Sequence, residues 1–372
     1  MDRKQKSLII RDLKKKMVFI SGPRQVGKTW LAKELAKEFS SPIYLNWDEL
    51  DHRQVIKNKS WPLKTNLLIF DEIHKMPQWK NYLKGLFDTK KDELSILVTG
   101  SARLEHFRKG GDSLAGRFFR HRLGPLTIAE LPSPQEDDVG KLMKRGGFPE
   151  PFLATDDESA NRWRLQYMDG LIRNDILDFE KLHDFRAIEQ ILQLLRRKVT
   201  SPVSYKSIAE DVQVSPNTVK KYIHILEELY IIFRVTPYSK NIARSLLKEP
   251  KIYFYDTGMV VGDDGQRFEN FTAVSILKHL HLIEDLEGKQ SSLYYLRTKE
   301  GKEVDFVLEV DNHPDMIVEA KLAEKILSPQ LHYFHQKYKL KAAQVVKDLV
   351  MPLQHGQIQI MRAFDFLKDL KG

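Results

Sequence analysis

The 372-residue sequence predicts an α/β chain: a parallel-sheet domain first, then a helical and winged-helix stretch, then a second, smaller α/β domain. Three observations carry this. Short apolar runs alternate with amphipathic segments as far as Leu131, the pattern of strands covered on both faces by crossover helices. Strand signals then nearly vanish between 141 and 198. From 203 onward two helices around a tight turn precede a strand pair, and a helix, hairpin, strand and helix follow from about 262.

The elements follow in order. Met17-Val18-Phe19-Ile20 reads as a buried strand, and Trp30 to Phe39 as a helix with Leu31, Leu35 and Phe39 on one face. Ile43-Tyr44-Leu45, Leu67-Leu68-Ile69-Phe70 and Ser95-Ile96-Leu97-Val98 are three further strands. Leu131-Pro132-Ser133-Pro134, followed by the acidic run Glu136-Asp137-Asp138, breaks the pattern. The expected domains are therefore 1–135, a helical connector 136–198, a winged helix 199–261 and a last domain 262–372.

Composition narrows the function. The chain is 42% hydrophobic and 30% charged, so it can bury cores and is not disordered overall. Its lack of cysteine excludes disulfides, thiol catalysis and cysteine-held metal. No apolar run approaches the ~18 residues of a membrane-spanning helix. Leu8-Ile9-Ile10 is too short for a signal-peptide core, and a cytoplasmic location is expected. The net charge of +9 is unevenly spread. Residues 1–135 carry +11, 136–185 carry −5, 186–251 carry +6 and 252–372 carry −3.

Part of the first block has a local reason. Gly22-Pro23-Arg24-Gln25-Val26-Gly27-Lys28-Thr29 fits G-x-x-x-x-G-K-[ST], with a strand before it and a helix after it. The glycines let the backbone curl so that its N–H groups face phosphate oxygens, and the helix N-terminus adds positive potential. Lys28 is expected to reach the β- and γ-phosphates of ATP, and Thr29 to hold Mg²⁺. The strand Leu67–Phe70 ends in Asp71 and Glu72, the first expected in the Mg²⁺ shell and the second orienting the attacking water. Ser101, just past the fourth strand, is the candidate for hydrogen-bonding that water or the γ-phosphate, with Thr99 as the alternative.

In the second basic block, Ser215-Pro216 starts a helix with a serine cap and a first-turn proline. Val219, Tyr222, Ile223, Leu226 and Leu229 are expected inward. Asn217, Thr218, Lys220, Lys221 and His224 then face outward as candidate DNA contacts, with strands at Ile231–Val235 and Ile252–Tyr255. Further on, Asp305 precedes Glu319-Ala320-Lys321 on the next strand. This is the D…(D/E)-x-K spacing of restriction-endonuclease-like folds, in which carboxylates hold Mg²⁺ and a lysine steers the attacking hydroxide. Glu269 on an upstream helix is the candidate third acid.

The phosphate loop, Leu68-Ile69-Phe70-Asp71-Glu72-Ile73-His74-Lys75 and Thr99-Gly100-Ser101-Ala102-Arg103-Leu104 resemble the AAA+ superfamily. More narrowly they resemble its prokaryotic branch of "ATP-binding proteins", which carries Ser113-Leu114-Ala115-Gly116-Arg117. The resemblance implies an arginine finger among Arg117, Arg120 and Arg122, acting within its own domain or on a neighbouring copy. Phe268-Glu269-Asn270, the stretch Leu296 to Val307 and Val318-Glu319-Ala320-Lys321 resemble the C-terminal half of the same proteins, which looks like a PD-(D/E)xK nuclease fold. Three readings stay open: an ATPase acting on DNA, branched DNA included; a nucleotide-gated scaffold for a protein partner, with an inert nuclease-like domain; and an ATP-regulated, metal-dependent nuclease. The AAA+ resemblance also implies a homo-oligomer as one option, since such modules often form rings, and the sequence itself leaves the oligomeric state open.

Overall fold

The computed structural model describes residues 3–100, 114–171, 185–239, 249–324 and 326–371. Ser101, the expected sensor residue, lies outside the described residues, as does Ser113. The chain divides into two compact units, Met1–Gly124 and Pro125–Gly372.

The first unit runs α1 (Lys6–Leu13), β1 (Met17–Ser21), α2 (Lys28–Ala36), β2 (Pro42–Asn46), α3 (Leu50–Asn58), β3 (Leu67–Asp71), α4 (Trp79–Thr89), β4 (Ser95–Thr99) and β5 (Phe118–Arg122). Its sheet has the order β2-β3-β4-β1-β5, with every neighbouring pair parallel. The three inner strands are buried at every position, which explains their unbroken apolar runs. The core of one face packs Phe19, Leu68, Phe70 and Val98 against Trp79, Leu83 and Leu86 of α4. Helix α1 had no clear sequence signal, because eight residues with three charges leave only Ile9 and Leu13 as buried apolar anchors. Gly27 has φ +101 and caps α2, so the helix begins at Lys28, two residues ahead of the expected start.

The second unit begins with helices α5 (Asp137–Arg145), α6 (Pro149–Leu153), α7 (Asp157–Gly170) and α8 (Phe185–Arg197), the helical stretch that was expected. Next come α9 (Tyr205–Val212), α10 (Pro216–Glu228), β6 (Ile232–Pro237) and β7 (Lys251–Phe254). The last part is α11 (Asp264–Glu287), β8 (Ser291–Arg297), β9 (Glu303–Val310), β10 (His313–Lys321), α12 (Pro329–Tyr338), β11 (Lys341–Val346), β12 (Leu353–His355), β13 (Ile358–Arg362) and α13 (Ala363–Asp369). Gln213 turns the chain at φ +59, and Ser215 Oγ accepts the Thr218 N–H to cap α10 at 3.1 Å. All five apolar residues expected on the inner face of α10 are buried.

The strand pair β6–β7 does not end the helical part as a free wing. Thr236 and Pro237 of β6 pair in parallel with Tyr294 and Tyr295 of β8. One mixed eight-stranded sheet results, in the order β12-β13-β11-β10-β9-β8-β6-β7. The stretches 136–198, 199–261 and 262–372 therefore share a single compact unit. Among the described residues, no helix is long and apolar enough to cross a membrane.

Candidate active site

The phosphate loop leaves β1, an inner strand of the sheet, at Ser21 and runs directly into α2. At Gly22 (φ +145) a Cβ would fall 2.1 Å from the Leu123 carbonyl oxygen, so only glycine fits there. Lys28 is buried and folds back over the loop, its Nζ donating to the carbonyls of Gly22 (2.9 Å) and Pro23 (2.6 Å). Burial pulls the Lys28 ammonium down to about 8, against the upward pull of Glu72 and Asp71. Arg24 and Gln25 stand at the outer bend, and Val26 is fully buried beneath it. Arg3, which sequence reasoning missed, braces the loop from below: its Nη2 donates to the Val26 carbonyl at 2.7 Å.

Strand order places the rest. Because β4 lies between β1 and β3, Thr99 stands level with Ile20 on one side and Asp71 on the other. Three hydroxyls converge on the buried Asp71 carboxylate. Thr29 Oγ1 donates to Oδ2 at 2.9 Å, Tyr44 Oη to Oδ2 at 2.6 Å and Thr99 Oγ1 to Oδ1 at 2.6 Å. Thr99, the alternative to Ser101, thus holds the acidic strand. Burial and the neighbouring carboxylate raise the Tyr44 phenol, so it stays protonated and donates. Glu72 follows in a left-handed conformation, φ +55, with its N–H donating to the Thr99 carbonyl at 3.0 Å. Its Oε2 lies 3.5 Å from both His74 Nε2 and Lys75 Nζ. Burial raises the Glu72 carboxyl above its usual value, more than Lys75 lowers it. The oxygen-only set of Thr29 and Asp71, beside loop N–H groups and one lysine, fits a Mg²⁺–nucleotide.

Arg117 requires a correction. Its carbonyl accepts the Met17 N–H at 3.1 Å, at the start of β1, whereas the phosphate loop leaves the other end of that five-residue strand. At about 3.3 Å per residue the strand keeps the two levels far apart. Its guanidinium is instead paired with Asp88, Nε to Oδ1 at 2.8 Å and Nη2 to Oδ2 at 3.0 Å. An arginine finger on its own nucleotide is ruled out for Arg117 by this placement. Of the three arginines, Arg122 stands at the phosphate end, level with Ser21. Arg117→Ala is accordingly expected to leave ATP turnover at low protein concentration unchanged, and a loss there would return Arg117 to the site.

The second unit holds two further groups. On α10, Asn217, Lys220 and Lys221 are exposed as expected. Thr218 is partly spent on the cap, its Oγ1 lying 2.9 Å from Ser215 Oγ, and His224 Nε2 lies 3.4 Å from Glu228. At the C-terminal sheet, Asp305 on β9, Glu319 and Lys321 on β10 and Glu269 on α11 do come together. Lys321 Nζ is 3.1 Å from Glu319, and Asp305 Oδ2 accepts the Ala320 N–H at 3.0 Å. The expected metal shell does not form. A buried lysine with no motif around it, Lys251, meets Glu303 at 2.7 Å, Glu269 at 3.2 Å and Asp305 at 3.6 Å. Among the described residues no group of three histidine, aspartate or glutamate side chains is arranged to hold a metal ion. The carboxylates close on an ammonium instead, and this donor set does not fit the Mg²⁺ assigned to Asp305 and Glu319.

Comparison with known proteins agrees with the first unit and leaves the second without a described role. Residues 14–132 match a family described as an AAA domain. Residues 136–263 and 264–364 each match a domain of unknown function. An uncharacterized protein of Mycobacterium tuberculosis is 26% identical over 306 residues, covering 80% of this chain and 68% of its own. One from Methanocaldococcus jannaschii is 25% identical over 354 residues, covering 83% and 77%. Among solved structures, a Walker-type ATPase of Pyrococcus abyssi aligns with 70% of this chain and 94% of its own at 15% identity and a TM-score of 0.46. The Thermotoga maritima RuvB Holliday junction branch migration motor aligns with 66% and 93% at 18% identity and a TM-score of 0.32. The phosphate loop, the Asp71-Glu72 strand end and the match over residues 14–132 together make the N-terminal part a P-loop ATPase domain of the AAA type.

Proposed function

We propose that the protein is a Mg²⁺-dependent ATPase that couples ATP binding and hydrolysis to the binding or remodelling of DNA, branched DNA included. The convergence of Thr29, Tyr44 and Thr99 on Asp71, with Glu72 next in the chain, carries the hydrolytic half of this reading. Bound Mg²⁺ supplies neutralisation of the phosphate charge. Thr29 and Asp71 hold the cation. The loop amides and the N-terminus of α2 hold the phosphates. Lys28 moves from the Gly22 and Pro23 carbonyls onto the phosphate oxygens. Glu72 orients the water and accepts its proton, and its raised proton affinity suits a general base.

Support for the DNA half is the +6 of residues 186–251 and the exposure of Asn217, Lys220 and Lys221 at the start of α10. Lys220→Glu combined with Lys221→Glu is expected to abolish binding of duplex and four-way DNA in a gel shift. The slope of log affinity against log salt measured for the native chain should exceed that of Lys220→Ala/Lys221→Ala by about 2. Affinities that do not move remove α10 from the DNA interface.

A second reading has its own support. Glu227 and Glu228 crowd His224 on the same helix, and a lysine sits among the nuclease-like carboxylates. Both favour a nucleotide-gated scaffold with a protein partner. No binding of any DNA form at physiological salt, with ATP turnover intact, is the result that selects it.

A further inference from the structure

The nuclease-like carboxylates already surround a cation that belongs to the chain. Lys251 is 1% exposed and is the first residue of β7. Strand pairing carries it into place: Val235 of β6 stands opposite it, and Pro202 bridges to it from the other side. Asn270 fastens the same strand, its Oδ1 accepting the Phe254 N–H at 2.8 Å and its Nδ2 donating to the Phe254 carbonyl at 2.9 Å. The ammonium then meets Glu269, Glu303 and Asp305, with the Tyr295 ring 5.5 Å away on its apolar side. Tyr253 Oη, also on β7, donates to Glu269 Oε1 at 2.6 Å.

We propose that Lys251 is the resident cation of this pocket, standing where a nuclease of the resembled fold would hold a divalent metal, so that the native domain takes up no catalytic metal there. Charge supports this. A buried ammonium is costly unless it is paired, and here Glu303, Glu269 and Asp305 stand 2.7, 3.2 and 3.6 Å from it. Lys251, Lys321 and Arg297 face four carboxyls, those of Glu269, Glu303, Asp305 and Glu319, so the cluster carries three cations of its own. Glu319 Oε2 is the buried oxygen that no lysine reaches. A divalent ion at Asp305 would stand close to the Lys251 ammonium, and the two would compete for the same carboxylates.

The inference does not rest on the ATPase reading, and its test uses the full chain without nucleotide. Mn²⁺ is titrated and followed by electron paramagnetic resonance. The native chain is expected to show no Mn²⁺ uptake that Asp305→Asn removes. Lys251→Met is expected to gain one tightly held Mn²⁺ that the added Asp305→Asn change abolishes, and to recover in Mn²⁺ the thermal stability it loses without it. Asp305-dependent Mn²⁺ uptake by the native chain overturns the proposal, as does a folded Lys251→Met chain that gains none. Should Lys251→Met fail to fold even in Mn²⁺, the native titration alone still decides between the two outcomes. Plasmid cleavage by the native chain that Asp305→Asn abolishes would also overturn it.

Discussion

Glu72→Gln is expected to lower ATP turnover by about 10²–10⁴-fold, the usual contribution of a positioned general base. Glutamine keeps the shape of the side chain and the left-handed backbone of residue 72, so the change removes little besides the ability to accept a proton. Affinity for a fluorescent ATP analogue should therefore hold. Lys28→Ala differs, since it removes the phosphate contact and should weaken both nucleotide binding and turnover. A Glu72→Gln chain that turns over ATP within a few-fold of the native rate would remove Glu72 from the chemistry. The pH profile gives a second check. Burial raises the Glu72 carboxyl, and the base must be ionised to work. Turnover should therefore fall on the acid side at a pH above the ordinary glutamate value, and this limb should vanish in Glu72→Gln.

Arg164→Met is expected to produce the largest loss of stability in the second unit. Arg164 and Asp256 are both buried, with Nε to Oδ2 at 2.8 Å, and the guanidinium also donates to the Arg145 carbonyl at 2.9 Å and to Asn161 at 2.8 Å. The packing is close: a Cβ on Gly146 would meet Asp256 Oδ1 at 1.8 Å, and one on Gly258 would meet Arg164 Nη2 at 1.9 Å. Methionine fills part of the volume but strands the carboxylate. Breaking a buried pair in this way costs about 3–5 kcal/mol. For a unit of this size that is a drop of roughly 6–20 °C in melting temperature. Burial already raises the Asp256 carboxyl despite Arg164, and loss of the arginine raises it further. The raised group favours folding while protonated and loses that contribution as pH rises through its folded value. The deficit of Arg164→Met against the native chain should thus be smaller near pH 5 than near pH 8. A melting temperature unchanged at both pH values would mean that the pair holds nothing together.

What the sequence revealed follows contiguity. The phosphate loop was legible because its eight residues form one turn, and the acidic strand because apolar burial and charge meet at Phe70-Asp71. The inner face of α10 was legible from its period. Tyr44 was not, since nothing in Ile43-Tyr44-Leu45 states that β2 will lie beside β3 and aim a phenol at Asp71. Arg117 shows the converse: a basic motif was visible, but its level along the sheet depends on the register of β5 with β1. Lys251 is the extreme case. It precedes Glu269 by 18 residues and belongs to no pattern, and only the join of β6 to β8 brings its strand to the carboxylates.

That join also governs how copies of the chain can meet. The eight-stranded sheet has two outer edges, β7 and β12. The rim of β7 is closed by the Pro202 bridge, by the Val203 N–H on the Pro250 carbonyl at 2.8 Å and by the Asn270 amide. The rim of β12 is three residues long and turns away at Gly356, φ +61. Neither offers the long, flat row of free backbone groups on which strands from another molecule add. Among the described residues of this unit, strand addition at a sheet edge is therefore disfavoured as a way for copies of the chain to meet.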